Sequence, residues 1–193
     1  MNTLDFNQSI ILTKCREAII ASALSRYWGC SLCFVGDDER RQDYDFCLYS
    51  ADQGWASKIE MQDDYYVKSM DQSLCVELFR FTKDGKKDGK LYYTKADKLL
   101  FIINKLKKVI LLDIKVIKNF IIYLEENSLL EITEPKDHDA WIAKHDTRPT
   151  RCALLPIQET LLADPKSRVI NFADLDIPSN HYDQFQFKRE NND

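Results

Sequence analysis

The 193-residue sequence predicts a single α/β domain, a mixed β-sheet flanked by helices. Three features point there. An N-terminal stretch has helical periodicity, alternating strand-like segments follow it, and two dense apolar runs precede a second amphipathic stretch. The length suits one domain with a sizeable core. Hydrophobic residues at 45% and charged residues at 30% are ordinary globular chemistry, which excludes a disordered or fibrous chain.

Residues 9–28 contain no Gly or Pro, and Leu12, Ile19, Ala23 and Tyr27 recur at helical spacing. A helix is expected there, with Gly29 at its C-cap. Residues 31–35 form a short apolar strand leading into a charged turn at 36–41. Residues 44–49 and 55–62 should pair as a hairpin around the turn at 51–54. A polar connection, 63–72, leads to a third strand at 74–81, closed by Lys83-Asp84-Gly85. Thr94 to Asp97 reads as a short helical turn. The apolar runs 99–103 and 109–112 flank a short polar link and suggest a second hairpin, with one long helix as the alternative.

Asp113 can cap a helix to Asn127 whose apolar side carries Val116, Ile117, Phe120, Ile121 and Leu124. Residues 133–150 are polar and loop-like, 153–155 suit a final strand, and Ile157–Ala163 suits a short helix behind Pro156. The domain is expected to occupy residues 1–165. Residues 166–193 read as a loosely ordered extension, polar from Pro178 onward.

No run approaches the roughly 20 apolar residues of a membrane span. The N-terminus has neither a basic start nor an apolar stretch, so a cytoplasmic protein is expected. The cysteines are Cys15, Cys30, Cys33, Cys47, Cys75 and Cys152; most lie in apolar runs and read as buried free thiols. Cys30 and Cys33 form a lone CxxC with no second pair to complete a zinc site.

The net charge of −4 is unevenly spread. Residues 83–118 carry 11 Lys against 4 acids, whereas 1–82 carry 8 Lys/Arg against 13 acids and 119–193 carry 8 against 14. A basic stripe of this kind suits a polyanion such as DNA, with Lys87, Lys90, Lys95, Lys105, Lys107 and Lys108 as phosphate contacts. A solvated face is the other reading of the same charges.

Strand side chains alternate with period 2, so Glu60 and Gln62 share one face while Ile59 and Met61 share the other. Asp45 opens the first strand of the hairpin, and Glu77 opposes the face of Val76 and Leu78. Three neighbouring strands would thus each place an acid within an apolar segment, where a charge must be paired or coordinate a cation. Converging carboxylates suit a hard ion such as Mg²⁺ or Mn²⁺. The ion would polarise a phosphate and activate water, which Gln62 would orient. Alternatively, Glu60 and Glu77 lie on solvent-facing edges beside Lys58 or Arg80.

The order Asp45-Phe-Cys-Leu-Tyr, Lys58-Ile-Glu60-Met-Gln62, Ser73-Leu-Cys-Val-Glu77 resembles the PD-(D/E)XK nuclease superfamily, in particular phage and bacterial endonucleases and Holliday-junction-resolvase-like proteins. In that branch a strand Asp precedes a hairpin ending in Glu-x-Lys, a further Glu follows on the next strand, and a Thr-Lys-Ala-Asp turn precedes an apolar strand. Thr94-Lys-Ala-Asp97 matches the last piece, and the likeness covers roughly residues 9–127.

The resemblance implies a restriction-endonuclease-like sheet and a metal-dependent DNA endonuclease of phage, mobile-element or repair type. Asp45, Glu60 and Glu77 would be metal ligands, and Gln62 would stand at the motif Lys. It also implies a homodimer, since duplex cleavage needs two cuts. Asp43 is the fallback if the first strand shifts register by two. Glu17 matches an acid some members carry on their first helix, or is a surface acid beside Lys14 or Arg16. The sequence departs from the pattern at Gln62 and in lacking a Gly before the first Asp. The alternative function is a catalytically degenerate nuclease fold acting as a DNA- or protein-binding module.

Overall fold

The computed structural model describes residues 6–34, 44–64, 66–82, 84–137 and 149–177, beginning with helix α1 at Phe6–Trp28. The helix stops at Gly29, whose φ of +58° is a left-handed turn that glycine takes without steric penalty. Strands β1 (Ser31–Phe34), β2 (Phe46–Ser50), β3 (Trp55–Asp64), β4 (Ser73–Thr82) and β5 (Gly85–Asp88) follow, then the short helix α2 (Lys90–Tyr93). The chain continues through β6 (Lys98–Ile103), β7 (Lys108–Asp113), α3 (Ile114–Glu126), β8 (Glu131–Thr133), β9 (Thr150–Pro156), α4 (Ile157–Ala163) and β10 (Arg168–Asn171).

Two sheets result. The six-stranded sheet is mixed and ordered β1-β2-β3-β6-β7-β10, with β3 parallel to β6 and the other neighbours antiparallel. The four-stranded sheet is antiparallel, ordered β5-β4-β9-β8. One face of the larger sheet, with Ile59, Met61, Leu100 and Ile102, packs under Ile20 and Leu24 of α1. Its other face, with Leu99, Phe101 and Ile110, packs against Leu74, Val76 and Leu78 of β4 and against Ile117 and Ile121 of α3. Being covered on both sides, β6 and β7 need apolar residues at every position between their charged ends, hence their dense apolar runs. The hairpin reading of those runs is therefore correct and the long helix is not.

Other expectations change. The three acidic strands are not consecutive neighbours: β3 lies between β2 and β6, and β4 belongs to the second sheet. The apolar side of β4 is drawn to the already apolar face of β6, which takes it out of the hairpin's sheet. The expected helical turn at Thr94–Asp97 lies earlier, as α2, because Thr94 is already extended and its hydroxyl accepts the Ala96 N–H at 3.1 Å. Strand β5 was not expected in so polar a segment. The extension beginning at residue 166 supplies β10 and the core residues Phe172, Leu175 and Ile177, so the sheet continues past residue 165.

All six thiols are free, yet only Cys152 is buried and Cys33 is exposed. No helix among the described residues is long and apolar enough to cross a membrane. The turn at 36–41, Lys83 and the tail from Pro178 lie outside the described residues.

Asp113 caps α3 as expected, accepting the Lys115 and Val116 N–H at 2.9 and 3.4 Å, and pairs with Lys98 Nζ at 3.1 Å. Burial pushes its carboxyl up, but Lys98 and the two amides outweigh it and hold the group below its ordinary 3.8. Stability from such a depressed carboxyl is complete above the unfolded value and is lost as pH falls through the native one. Asp113→Ala is expected to remove about 1 kcal/mol at neutral pH, the scale of a lost cap. That difference should shrink in strong acid, as urea unfolding at both conditions will show.

Candidate functional site

β3 changes partners near Glu60. It pairs with β2 through Ile59 and with β6 from Ile59 to Asp64. Beyond Ile59, Asp45, one residue before β2, takes over the β2-side edge. Its N–H donates to the Ile59 carbonyl at 2.9 Å, and its Oδ2 accepts the Met61 N–H at 2.7 Å. A side-chain oxygen thus satisfies a backbone donor that the ladder leaves behind. One step beyond the Phe46–Ile59 pair, Asp45 and Glu60 occupy facing positions of the β2–β3 ribbon.

Ile59 and Met61 point under α1, so alternation sends Glu60 to the opposite face, toward the second sheet. Glu60 is only 5% exposed. A carboxylate there requires a cation or several donors. Lys90, the first residue of α2, provides the cation: its Nζ pairs with Glu60 Oε1 and donates to the Met61 carbonyl at 2.7 Å. Burial lowers the Lys90 pKa; the charges of Asp45 and Glu17 work against that, and Lys14 works with it.

Glu17 faces this cluster from α1. Lys14 Nζ lies 2.5 Å from its carboxylate and 3.7 Å from Asp45 Oδ1. Burial raises the Glu17 pKa, Asp45 raises it further, and Lys14 and Lys90 oppose them. Three acids, Glu17, Asp45 and Glu60, therefore share one electrostatic neighbourhood with two ammonium groups.

Glu77 and Gln62 stand beside it. Glu77 Oε1 accepts Arg80 Nε at 2.5 Å and the Lys90 backbone N–H at 3.1 Å, so its carboxylate holds the start of α2. The Gln62 side-chain amide donates to the Cys75 carbonyl, tying β3 to β4. Among the described residues, no three His, Cys, Asp or Glu groups lie close enough to share a metal ion. Asp43 and the three histidines, His138, His145 and His181, lie outside the described residues.

The placement of Lys90 depends on Gly89. Its N–H donates to the Leu78 carbonyl at 2.6 Å, and an added Cβ would lie 2.5 Å from Leu78 C. β4 shifts register against β9 between Glu77 and Phe79 at this same point. The sequence signal was a glycine directly before a lysine, which a charge count alone does not distinguish from the other lysines.

Those other lysines do not form one stripe. Lys87 is exposed on β5, 3.9 Å from Asp84, and Lys95 is exposed after α2. Lys105, Lys107 and Lys108 lie at the β6–β7 turn, at the opposite end of β6, where Lys107 takes a φ of 52°.

No protein-family model and no curated protein matches the chain. Among solved structures, a bacterial homing endonuclease, I-Ssp6803I, is similar at a TM-score of 0.37 and 15% identity, over 52% of this chain. The similarity spans 65% of that endonuclease's length.

The Lys90–Glu60 pair makes a clear demand on stability. Lys90→Met strands a buried carboxylate and is expected to cost about 3 kcal/mol. Adding Glu60→Gln removes the orphaned charge and should restore most of that loss. The urea midpoints of the two single variants and the double variant give the coupling; equal destabilisation in Lys90→Met with and without Glu60→Gln would mean that the pair does not act as a unit.

Proposed function

We propose that the chain is a metal-dependent DNA endonuclease of PD-(D/E)XK type, using Mg²⁺ or Mn²⁺ and centred on Asp45 and Glu60. The observation that supports this reading is the Lys90 ammonium drawn to buried Glu60 in the field of Asp45 and Glu17. The acids are hard oxygen donors, the kind these ions take, and Mg²⁺ commonly binds through one or two carboxylates plus waters and phosphate oxygens. Asp45 and Glu60 fit that need, with Glu17 as the neighbouring acid. When bound, the ion would polarise the scissile phosphate and lower the pKa of a water.

The chain's own groups do the rest. Lys90 supplies the positive charge that Gln62 cannot, placing it where negative charge develops on the phosphate. Glu77 holds the α2 backbone that carries Lys90, and Gln62 fixes the spacing between β3 and β4. Lys87 and Lys95 flank α2 and suit phosphates to either side of the cut. A homodimer would present two such sites to the two strands of a duplex.

A second reading is favoured by the closure of Lys90 on Glu60: a non-cleaving module that binds DNA or protein on the same scaffold. The two are separated by incubating duplex, branched and single-stranded DNA with Mg²⁺ or Mn²⁺. Cleavage that stops on chelation is expected, and Asp45→Asn and Glu60→Gln should each lower it about 100-fold or more, the scale of a lost transition-state contact. Unchanged cleavage in Glu60→Gln would remove the site assignment. DNA binding without cleavage, and without divalent-ion binding by calorimetry, would establish the second reading instead.

A further inference from the structure

We propose that α2, with the adjoining surfaces of β4, β5 and α3, forms a platform for an unpaired nucleic-acid strand. Leu91 anchors α2 in the core, which turns Tyr92 and Tyr93 outward, 40% and 37% exposed. The Tyr92 ring stacks on Phe79, with centroids 5.7 Å apart and planes at 27°. Lys86 Nζ lies 3.4 Å from the Phe79 centroid and Lys118 Nζ lies 6.0 Å from that of Tyr92. On the other side of α2, the Arg80 guanidinium sits 5.6 Å from the Tyr93 ring and donates to its hydroxyl at 3.4 Å. Flat rings alternate with cations on both sides of one short helix.

This chemistry selects among polyanions. An unpaired strand presents base faces and phosphates together, and aromatic rings with interleaved cations take both. A duplex hides its base faces inside the stack and offers mainly phosphates. Asp84 and Asp88 beside the lysines of β5, and Glu125 near Tyr92, dilute the positive field. Charge alone is therefore too weak to hold a duplex here, and stacking must supply much of the binding.

The platform adjoins the acid cluster. Arg80 donates to Glu77, which accepts the Lys90 N–H, and Lys90 reaches Glu60. Tyr92 and Tyr93 follow Lys90 by two and three residues, about 3–5 Å along the helix axis. A strand stacked on them passes the carboxylates. The implied substrate, DNA with an unpaired stretch at the cut, rests on the hydrolase reading; strand binding itself does not.

The test is fluorescence anisotropy with labelled oligo-dT and a duplex of equal length, in chelator so that no cleavage intervenes. Oligo-dT should bind at least about tenfold more tightly than the duplex. Tyr92→Ala and Tyr93→Ala should each weaken oligo-dT binding about tenfold, the scale of one lost base stack, while the Phe variants retain it. Leu129→Ala, on a different exposed surface, should change nothing, and circular dichroism confirms the fold of each variant. Equal or tighter duplex binding, indifference to both Tyr→Ala changes, or no oligonucleotide binding would overturn the platform. Intact oligo-dT binding with cleavage unaffected by Glu60→Gln would instead leave the platform standing and remove the proposed hydrolytic site.

Discussion

The arrangement depends on one constraint: the carboxylate of Glu60 lies between two sheets and must meet a cation there. An unpaired buried carboxylate would be too costly for a marginally stable domain. The neighbouring features follow from that demand. Lys90 has to start a helix at the gap, so Gly89 must approach the Leu78 backbone closely enough to exclude a Cβ. Glu77 fixes the amide of Lys90, and Arg80 balances Glu77. In the linear sequence nothing ties Lys90, Gly89 and Arg80 to the acids Glu60 and Glu77. In space they are successive supports of a single ion pair.

Legibility followed the range of the forces involved. Helix α1 with its glycine stop, the Asp113 cap, the β2–β3 hairpin and α4 are all set by residues a few positions apart, and the sequence shows them. Sheet membership is not local. Residues 74–81 read equally well as a third strand of the first sheet, and only the apolar face of β6 decides otherwise. The polar β5 and the short β8 owe their extended form to β4 and β9, which propensity does not anticipate. β10 was lost among polar neighbours because its Ile170 makes sense only beneath Phe172 and α1.

The candidate site divides along the same line. Period-2 alternation within β3 set Glu60 opposite Ile59 and Met61, and that much was readable. Asp45 is next to Glu60 because a hairpin has a fixed register. Glu17 was singled out by the resemblance, with a surface acid beside Lys14 or Arg16 as the other reading, and its place beside Asp45 depends on how α1 packs on the sheet. The hydrogen-bond partner of Gln62 was not readable, since it is a backbone carbonyl on another sheet. Nor was the placement of Lys90: a charge census gives all the lysines of the mid-chain excess equal weight, whereas partial burial and a buried carboxylate partner distinguish this one from Lys87 or Lys95.

Gln62 and Lys90 together show why spacing in a motif and position in space are different quantities. A lysine two residues beyond Glu60 would lie on the same strand face and place its charge beside that carboxylate. Here the corresponding side chain binds across to β4, and the charge arrives from α2, at the other end of the β4–β5 hairpin. The physical requirement, a cation among hard oxygen atoms at the edge where β2 leaves β3, is met by either route. The route taken gives the charge neighbours that a strand lysine would lack. Lys90 shares a single helical turn with Tyr92 and Tyr93, so the ammonium at Glu60 and those rings are carried by the same four residues of backbone.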